Sequence, residues 1–357
     1  MNIDASYYCA VDLLKKLISI PSFSKEEKAA ADMLEAHMKE INLFPKRKGN
    51  NLWLLSPDWD EKKPVVLLNS HIDTVKPVAG WTKAPFNAVE DEDQLFGLGS
   101  NDAGASLVSL FHSFLLLTQT EQANNFVFLV SCEEEISGKG GIESVLSELP
   151  NIDLAIVGEP TNMRPAIAER GLMVLDGIVK GQSGHAARNE GENAIYKAIP
   201  VINWFKETKF PLESELLGAV KMTVTMVDAG TQHNVIPDEC RFTVDVRSNE
   251  YYANKELFES IATHCGCEIK ARSYRLNSSG ISIENPIVQR AILLGLDPFG
   301  SPTLSDQALM PFPSLKIGPG QSSRSHTANE YILKSEIREA IELYIRLLNV
   351  SICQQRC

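Results

Sequence analysis

Apolar positions repeat along this chain in two rhythms, and the change from one to the other divides it. From about Ala5 to Ile20, Val11, Leu14, Leu17 and Ile18 fall on one face of an amphipathic helix, which Pro21 stops. Ser24 followed by Glu27 has the form of a capping box and opens a second helix running to about Ile41. Leu52–Leu55, Val65–Leu68, Phe126–Val130 and Asp153–Val157 are short apolar runs, the pattern of buried strands. Between them lie the glycine-punctuated loop Phe96–Asp102, an almost wholly apolar helix from Ala103 to Leu117, and a helix predicted over Gly138–Leu149. Helices alternating with strands that are apolar on both faces predict an α/β fold, a mostly parallel or mixed sheet with helices on both faces.

After residue 170 the strands alternate apolar and polar, as half-exposed strands do. Leu172–Val179, Ala219–Val227, Cys240–Val246 and Glu268–Ser273 read as strands, with helices over Asn193–Phe205 and Glu256–His264. The resulting β-α-β-β-α-β order is the split-βαβ, ferredoxin-like pattern. The first rhythm returns near Asn285, with a helix to about Leu294, the strand Ser314–Ile317, the loop Gly318–Ser325 and a last helix over Ser335–Leu348. The predicted organisation is a catalytic α/β domain in two parts, 1–170 and 281–357, interrupted by an inserted α+β domain, 171–280.

Composition narrows the classes of partner. The 357 residues are 44% hydrophobic and 22% charged, enough for two sizeable cores. Forty-six acidic against 34 basic residues give a net charge of -12, which disfavours nucleic acid and anionic membrane as partners. The seven cysteines, Cys9, Cys132, Cys240, Cys265, Cys267, Cys353 and Cys357, are odd in number and irregular in spacing, which suits a reducing cytoplasm. Met1-Asn2-Ile3-Asp4 places no basic region before an apolar one, so no signal peptide is expected. The apolar run near Leu107–Leu117 is interrupted by Ser109, His112 and Ser113 and is too short to span a bilayer.

The candidate chemistry lies at the strand ends. Val65–Leu68 delivers His71 and Asp73, Phe126–Val130 delivers Glu133, Glu134 and Glu135, and Asp153–Val157 delivers Glu159. Ser314–Ile317 leads to His326, and the glycine loop delivers Asp102. Each alone has an ordinary explanation: a helix cap, an acidic turn, a loop histidine. In open α/β sheets, however, ligands collect beyond the carboxyl ends of strands. Carboxylates and imidazoles converging there repel or compete unless cations sit among them. Imidazole with carboxylate and no cysteine suits Zn, Co, Mn or Fe. Two such ions favour hydrolysis, since metal binding lowers the pKa of bound water towards about 7.

Taken together, His71-Ile72-Asp73, the glycine loop ending in Asp102, Glu134-Glu135, Gly158-Glu159-Pro160-Thr161, and Gly318-Pro319-Gly320 followed by His326 resemble a known family. It is the co-catalytic zinc aminoacylase and metallopeptidase family of acetylornithine deacetylase, succinyl-diaminopimelate desuccinylase and carboxypeptidase G. The resemblance covers essentially the whole chain. It implies two divalent ions, zinc first with cobalt or manganese as alternatives. Asp102 would bridge them, His71 and Glu159 would complete one, and Glu135 and His326 the other. Asp73 would orient His71, and Glu134 would be the general base. Three consecutive glutamates leave that register open by one residue, with Glu133 the alternative. The resemblance also implies a cis peptide at Asp102–Ala103 and a homodimer formed through the inserted lid domain. Within that domain His185, in Gly184-His185, would donate to the oxyanion, in dimers often from the partner subunit, while Asn234 and Arg247 match substrate-binding positions.

The implied substrate is an N-acyl amino acid, with N-acetylornithine or N-succinylornithine in arginine biosynthesis placed first. Succinyl-diaminopimelate and acyl-lysine remain open, because Ser305-Asp306 resembles an element of those relatives; a dipeptidase or carboxypeptidase, and a non-catalytic binding protein on the same fold, are further alternatives. A succinyl group would call for an extra cation, for which Arg170, Arg188 and Arg324 are candidates.

Overall fold

The computed structural model describes residues 2–188 and 190–349. Its helices are α1 (Ile3–Ile18), α2 (Lys28–Glu40), α3 (Ala105–Leu117), α4 (Ala194–Glu207), α5 (Asn254–His264), α6 (Pro286–Leu293) and α7 (Lys334–Leu348). The main strands are β1 (Asn51–Leu55), β2 (Val65–His71), β3 (Asn125–Ser131), β4 (Leu154–Val157), β5 (Met173–Lys180), β6 (Lys221–Ala229), β7 (Glu239–Arg247), β8 (Glu268–Ala271) and β9 (Ser314–Lys316). The chain divides into two compact units. Within the described residues, the first comprises 2–167, 280–299 and 305–349, and the second 168–279 and 300–304.

In the first unit the strands run in the order β1-β3-β2-β4-β9. β3, β2, β4 and β9 are parallel, and β1 is antiparallel to β3. Side chains of a strand alternate between faces. Val66 and Leu68 of β2 enter the larger core with α1, α3 and α7, while Val65 and Leu67 enter a smaller one with Trp53, Val127, Leu129 and Ile142. Both faces are covered, which explains why β2 reads as a continuous apolar run. In α3, Phe111 and Phe114 pack on Phe128 of β3. His112 interrupts that apolar helix from a buried position, and burial pushes its pKa down to about 4, so it sits in the core as the neutral ring.

Three local expectations fail here. Ser24 and Glu27 form no capping box: the N-cap of α2 is Glu27, without a side-chain cap bond. The Ser24 hydroxyl instead donates to Asp73 (2.7 Å), and the Glu27 carboxylate accepts the Lys25 N–H (2.6 Å). The segment 138–149 is two short 3₁₀ turns, Ile142–Ser144 and Leu146–Glu148, rather than a helix. Its opening Gly138-Lys139-Gly140-Gly141 has low helix propensity, and Pro150 follows directly. The central helix begins at Ala105, not Ala103. Residues Ser100–Gly104 form an irregular turn containing a cis Asp102–Ala103 peptide.

The second unit carries a four-stranded antiparallel sheet in the order β6-β7-β5-β8. β5 and β7 alternate buried and half-buried positions, and Leu175, Phe242 and Val244 join Phe205 of α4 and Leu257 and Ile261 of α5 in a separate core. β6 forms one edge, with Met226 and Val227 exposed. Among the described residues no helix is long and apolar enough to cross a membrane. Cys9, Cys132, Cys240, Cys265 and Cys267 are free thiols; Cys353 and Cys357 lie outside the described residues.

Candidate metal centre

β2 lies between β3 and β4, so the carboxyl ends of three adjacent parallel strands open on one rim, each about 4.8 Å from the next. His71 is the last residue of β2, Glu133–Glu135 follow β3, and Glu159 follows β4. The turn before α3 adds Asp102. Close packing beneath the rim requires small residues. A Cβ on Gly158 would meet Leu110 Cδ1 at 2.7 Å and Ser106 Cβ at 2.9 Å, and one on Gly318 would meet the Glu159 carbonyl oxygen at 2.5 Å.

The resulting geometry is compact. His71 Nε2 lies 3.4 Å from Asp102 Oδ1, 3.6 Å from Glu159 Oε1 and 3.9 Å from Glu134 Oε2. The other oxygen of Asp102, Oδ2, is 3.7 Å from His326 Nε2, which lies 3.0 Å from Glu135 Oε2. Asp102 therefore presents one oxygen to each imidazole. Glu133 takes a left-handed backbone (φ 55°) and turns away, its carboxylate accepting the Gly140 N–H at 3.2 Å. Glu134, not Glu133, stands on the rim.

The groups behind the rim hold it by main-chain contacts. The Asp73 carboxylate accepts the N–H groups of Glu134 (3.0 Å) and Glu135 (3.1 Å) together with the Ser24 hydroxyl. His71 Nδ1 lies closer to the Asp73 carbonyl oxygen (2.9 Å) than to its carboxylate (3.6 Å). The main chain thus fixes the His71 tautomer, with the proton on Nδ1, and the side chain of Asp73 fixes the glutamate turn. Glu27, fully buried, accepts the Glu133 N–H at 3.1 Å.

Such crowding disturbs every titration. Burial, with Glu159 and Asp306 nearby, raises Glu134 well above the usual carboxylate range despite the opposing pull of His71. Burial likewise raises Glu135, and raises Glu159 to about 8. The bond to Glu135 raises His326 to about 9. His71 is raised although burial alone would lower it, because the Asp102 and Asp73 carboxylates outweigh that effect. Glutamates raised by burial, beside imidazoles raised and aspartates lowered by their mutual attraction, mark a site short of positive charge.

The donors fit divalent metal. His71 Nε2 is buried and makes no hydrogen bond, although its ring is held from the other side. Two donor sets, His71–Glu134–Glu159 and His71–Asp102–Glu135, each bring their ligand atoms within 4.8 Å of one another. His326 extends the second set from its 3.0 Å contact with Glu135. All donors are nitrogen or oxygen, suiting zinc, cobalt or manganese.

The remaining candidates belong to the second unit. His185 lies in the two-residue strand Gly184–His185, paired with Val235–Ile236, and its Nδ1 accepts the Ala187 N–H at 3.1 Å. Asn234 anchors the same ribbon, its carbonyl accepting the Ala186 N–H at 3.0 Å. Arg247 is held by Asp245 through Nε (2.8 Å) and Nη2 (3.0 Å). Arg170 donates to the carbonyls of Ala219 and Leu217 and lies in the field of Arg247. In the first unit, Arg324 is committed to Glu336 by two bonds of 2.7 and 3.1 Å.

Sequence reasoning missed the buried acceptors Glu27 and Glu330. The available signal was an acidic residue beside an apolar or alanine run, Glu27 before Ala29-Ala30-Ala31 and Glu330 before Tyr331-Ile332-Leu333.

A family model for peptidase family M20/M25/M40 matches residues 67–350, a span that includes every candidate metal ligand of this centre. The chain belongs to that family. It is a metal-dependent hydrolase of the M20 type, as the motifs implied. Its relatives include succinyl-diaminopimelate desuccinylase of Rickettsia bellii, 25% identical over 374 residues, which cover 94% of this chain and 95% of that protein. The [LysW]-lysine/[LysW]-ornithine hydrolase of Sulfurisphaera tokodaii is 27% identical over 349 residues, 94% of each. Among solved structures, a Staphylococcus aureus tripeptidase superposes with a TM-score of 0.78 at 19% identity, over 98% of this chain and 99% of that one. A Bacillus subtilis protein described as a dinuclear metal binding peptidase of the M20 family gives 0.73 at 19% identity, over 98% and 99%. These likenesses establish the fold.

Proposed function

We propose that this protein hydrolyses the amide bond of an N-acylated diamino acid, releasing the free amine and a carboxylic acid. The observation that carries the hydrolytic half is the Asp102 carboxylate between two imidazoles, with Glu134 3.9 Å from one of them, His71. In this reading His71 and Glu159 would hold one divalent ion, zinc first, Glu135 and His326 would hold the other, and Asp102 would contribute to both. When bound, the ions supply Lewis acidity at the scissile carbonyl and lower the pKa of water. Glu134 accepts the proton of the attacking water. As the carbon–nitrogen bond breaks, it delivers that proton to the departing nitrogen. Asp73 keeps Glu134 and Glu135 in place through their backbone N–H groups.

His185 is proposed as the oxyanion donor. Its Nδ1 is an acceptor for Ala187, which leaves the proton of the neutral ring on Nε2, a donor. Arg247 and Asn234 are proposed to bind the substrate, with Arg247 paired to a carboxylate. A homodimer through the second unit is supported by the exposed edge strand β6 and by Tyr196 and Ile199, exposed on α4. The odd number and irregular spacing of the cysteines favour a reducing, cytoplasmic location.

The diamino acid is supported by the relatives, whose names carry diaminopimelate, lysine and ornithine. N-acetylornithine and N-succinylornithine therefore stand beside succinyl-diaminopimelate and acyl-lysine. For a succinyl carboxylate, the commitment of Arg324 to Glu336 leaves Arg170 and Arg188 as the candidate cations. The test is kcat/KM across acetylornithine, succinylornithine, succinyl-diaminopimelate, acetyl-lysine and a set of dipeptides. One N-acyl diamino acid should exceed every dipeptide. A dipeptide at the top would assign the chain to the peptidases of its family.

A further inference from the structure

Asp102 and His326 are 224 residues apart in sequence, yet Asp102 Oδ2 lies 3.7 Å from His326 Nε2. Two buried residues join the segments that carry them. Glu330 is 2% exposed. Its Oε1 accepts the N–H of Asn101 (2.8 Å) and of Asp102 itself (3.0 Å), and its Oε2 accepts that of Gly99 (3.2 Å). The Glu330 carbonyl accepts the Gly97 N–H (3.0 Å). From the opposite direction Asn101, fully buried, reaches into the segment before His326. Its Nδ2 donates to the Gln321 carbonyl and to Ser325 Oγ, both at 3.1 Å, and its Oδ1 accepts the Gln321 N–H at 3.0 Å. Gly320 is left-handed (φ +83°), and a Cβ there would lie 2.2 Å from Asn101 Oδ1. The two segments are thus laced from both sides, each side chain bonding the backbone of the other segment.

We propose that Glu330 and Asn101 are positioning residues that fix Asp102 against His326 and so set the affinity of the metal position those two share. The proposal rests on reading Asp102, Glu135 and His326 as ligands to one ion. Neither residue touches the ion. Each acts by denying the ligand-bearing loops the freedom to separate when the carboxylates and imidazoles lack their metal. A buried carboxylate that accepts three N–H groups of one turn restrains that turn more tightly than a neutral side chain with a single acceptor.

The test is calorimetric titration of chelator-treated, full-length protein with zinc, together with the visible spectrum of the cobalt-loaded form and the melting of the metal-free form. Glu330→Ala and Asn101→Ala should weaken one of two zinc equivalents by about 10–100-fold, the usual cost of losing a group that orients a ligand, and alter the cobalt bands. Glu330→Gln keeps the Oε1 acceptor for Asn101 and Asp102 but turns an amide NH₂ toward the Gly99 N–H, so it should recover a measurable part of the affinity that Glu330→Ala loses. A merely structural role would lower the melting temperature of the metal-free protein without this selective loss or its rescue. Wild-type uptake of two equivalents with folded alanine variants that bind both as tightly overturns the clamp alone. Should Glu330→Ala fail to fold, an unchanged affinity in Asn101→Ala overturns it equally. A wild-type protein that takes up no zinc overturns the reading of the centre, and the clamp with it.

Discussion

Glu134→Gln is expected to take up metal with wild-type stoichiometry and to turn over about 10²–10⁴-fold more slowly, the contribution of a positioned general base. The carboxamide has nearly the shape of the acid but no basic oxygen to take a proton from water. The backbone N–H of residue 134 still reaches Asp73, so the turn keeps its place. Glu134 also stands among the potential ligands, in the set with His71 and Glu159. Metal analysis alongside kcat separates the two roles. If slow turnover comes with loss of one ion, Glu134 is a ligand and the base must be sought elsewhere.

Asp102→Ala should have the broadest effect of any single substitution in the centre. Asp102 offers one oxygen to each imidazole, 3.4 Å from His71 and 3.7 Å from His326. Its removal should abolish tight binding of both ions, and turnover should fall to background. Glu159→Ala, by contrast, leaves the contact between Glu135 and His326 intact and should weaken one ion only. Equal loss from both variants in a zinc titration would contradict a bridging Asp102.

Much of this was legible in the chain because burial on both faces leaves a plain signature. β2, β3 and β4 had to be continuous apolar runs, and the polar residues closing them had to lie on one rim once the strands were parallel. The strands of the second unit were legible for the opposite reason: β5 and β7 have one drier face each and alternate accordingly. What escaped was local and depended on partners distant in sequence. Ser24 and Glu27 have the spacing of a cap, but Asp73, 49 residues on, takes the serine hydroxyl. The 138–149 segment has helix-like apolar spacing, yet its glycines pack against Cys132 and Glu133, and two 3₁₀ turns suffice to bury Ile142 and Val145. Glu330 looked like any polar residue following a loop histidine. Its three N–H partners, Gly99, Asn101 and Asp102, lie more than 225 residues earlier, beyond any periodicity. That Asp73 would orient His71 could be expected from the sequence, but not that its carbonyl would lie nearer the ring than its carboxylate does.

The central claim is that these carboxylates and imidazoles form a two-ion hydrolytic centre. Its most direct test is to strip the protein with a chelator and titrate zinc back while following hydrolysis of an N-acyl diamino acid in the same sample. Two equivalents should bind, with turnover absent in the stripped protein and restored as they enter. Uptake of less than one equivalent, with hydrolysis indifferent to the chelator, would contradict it.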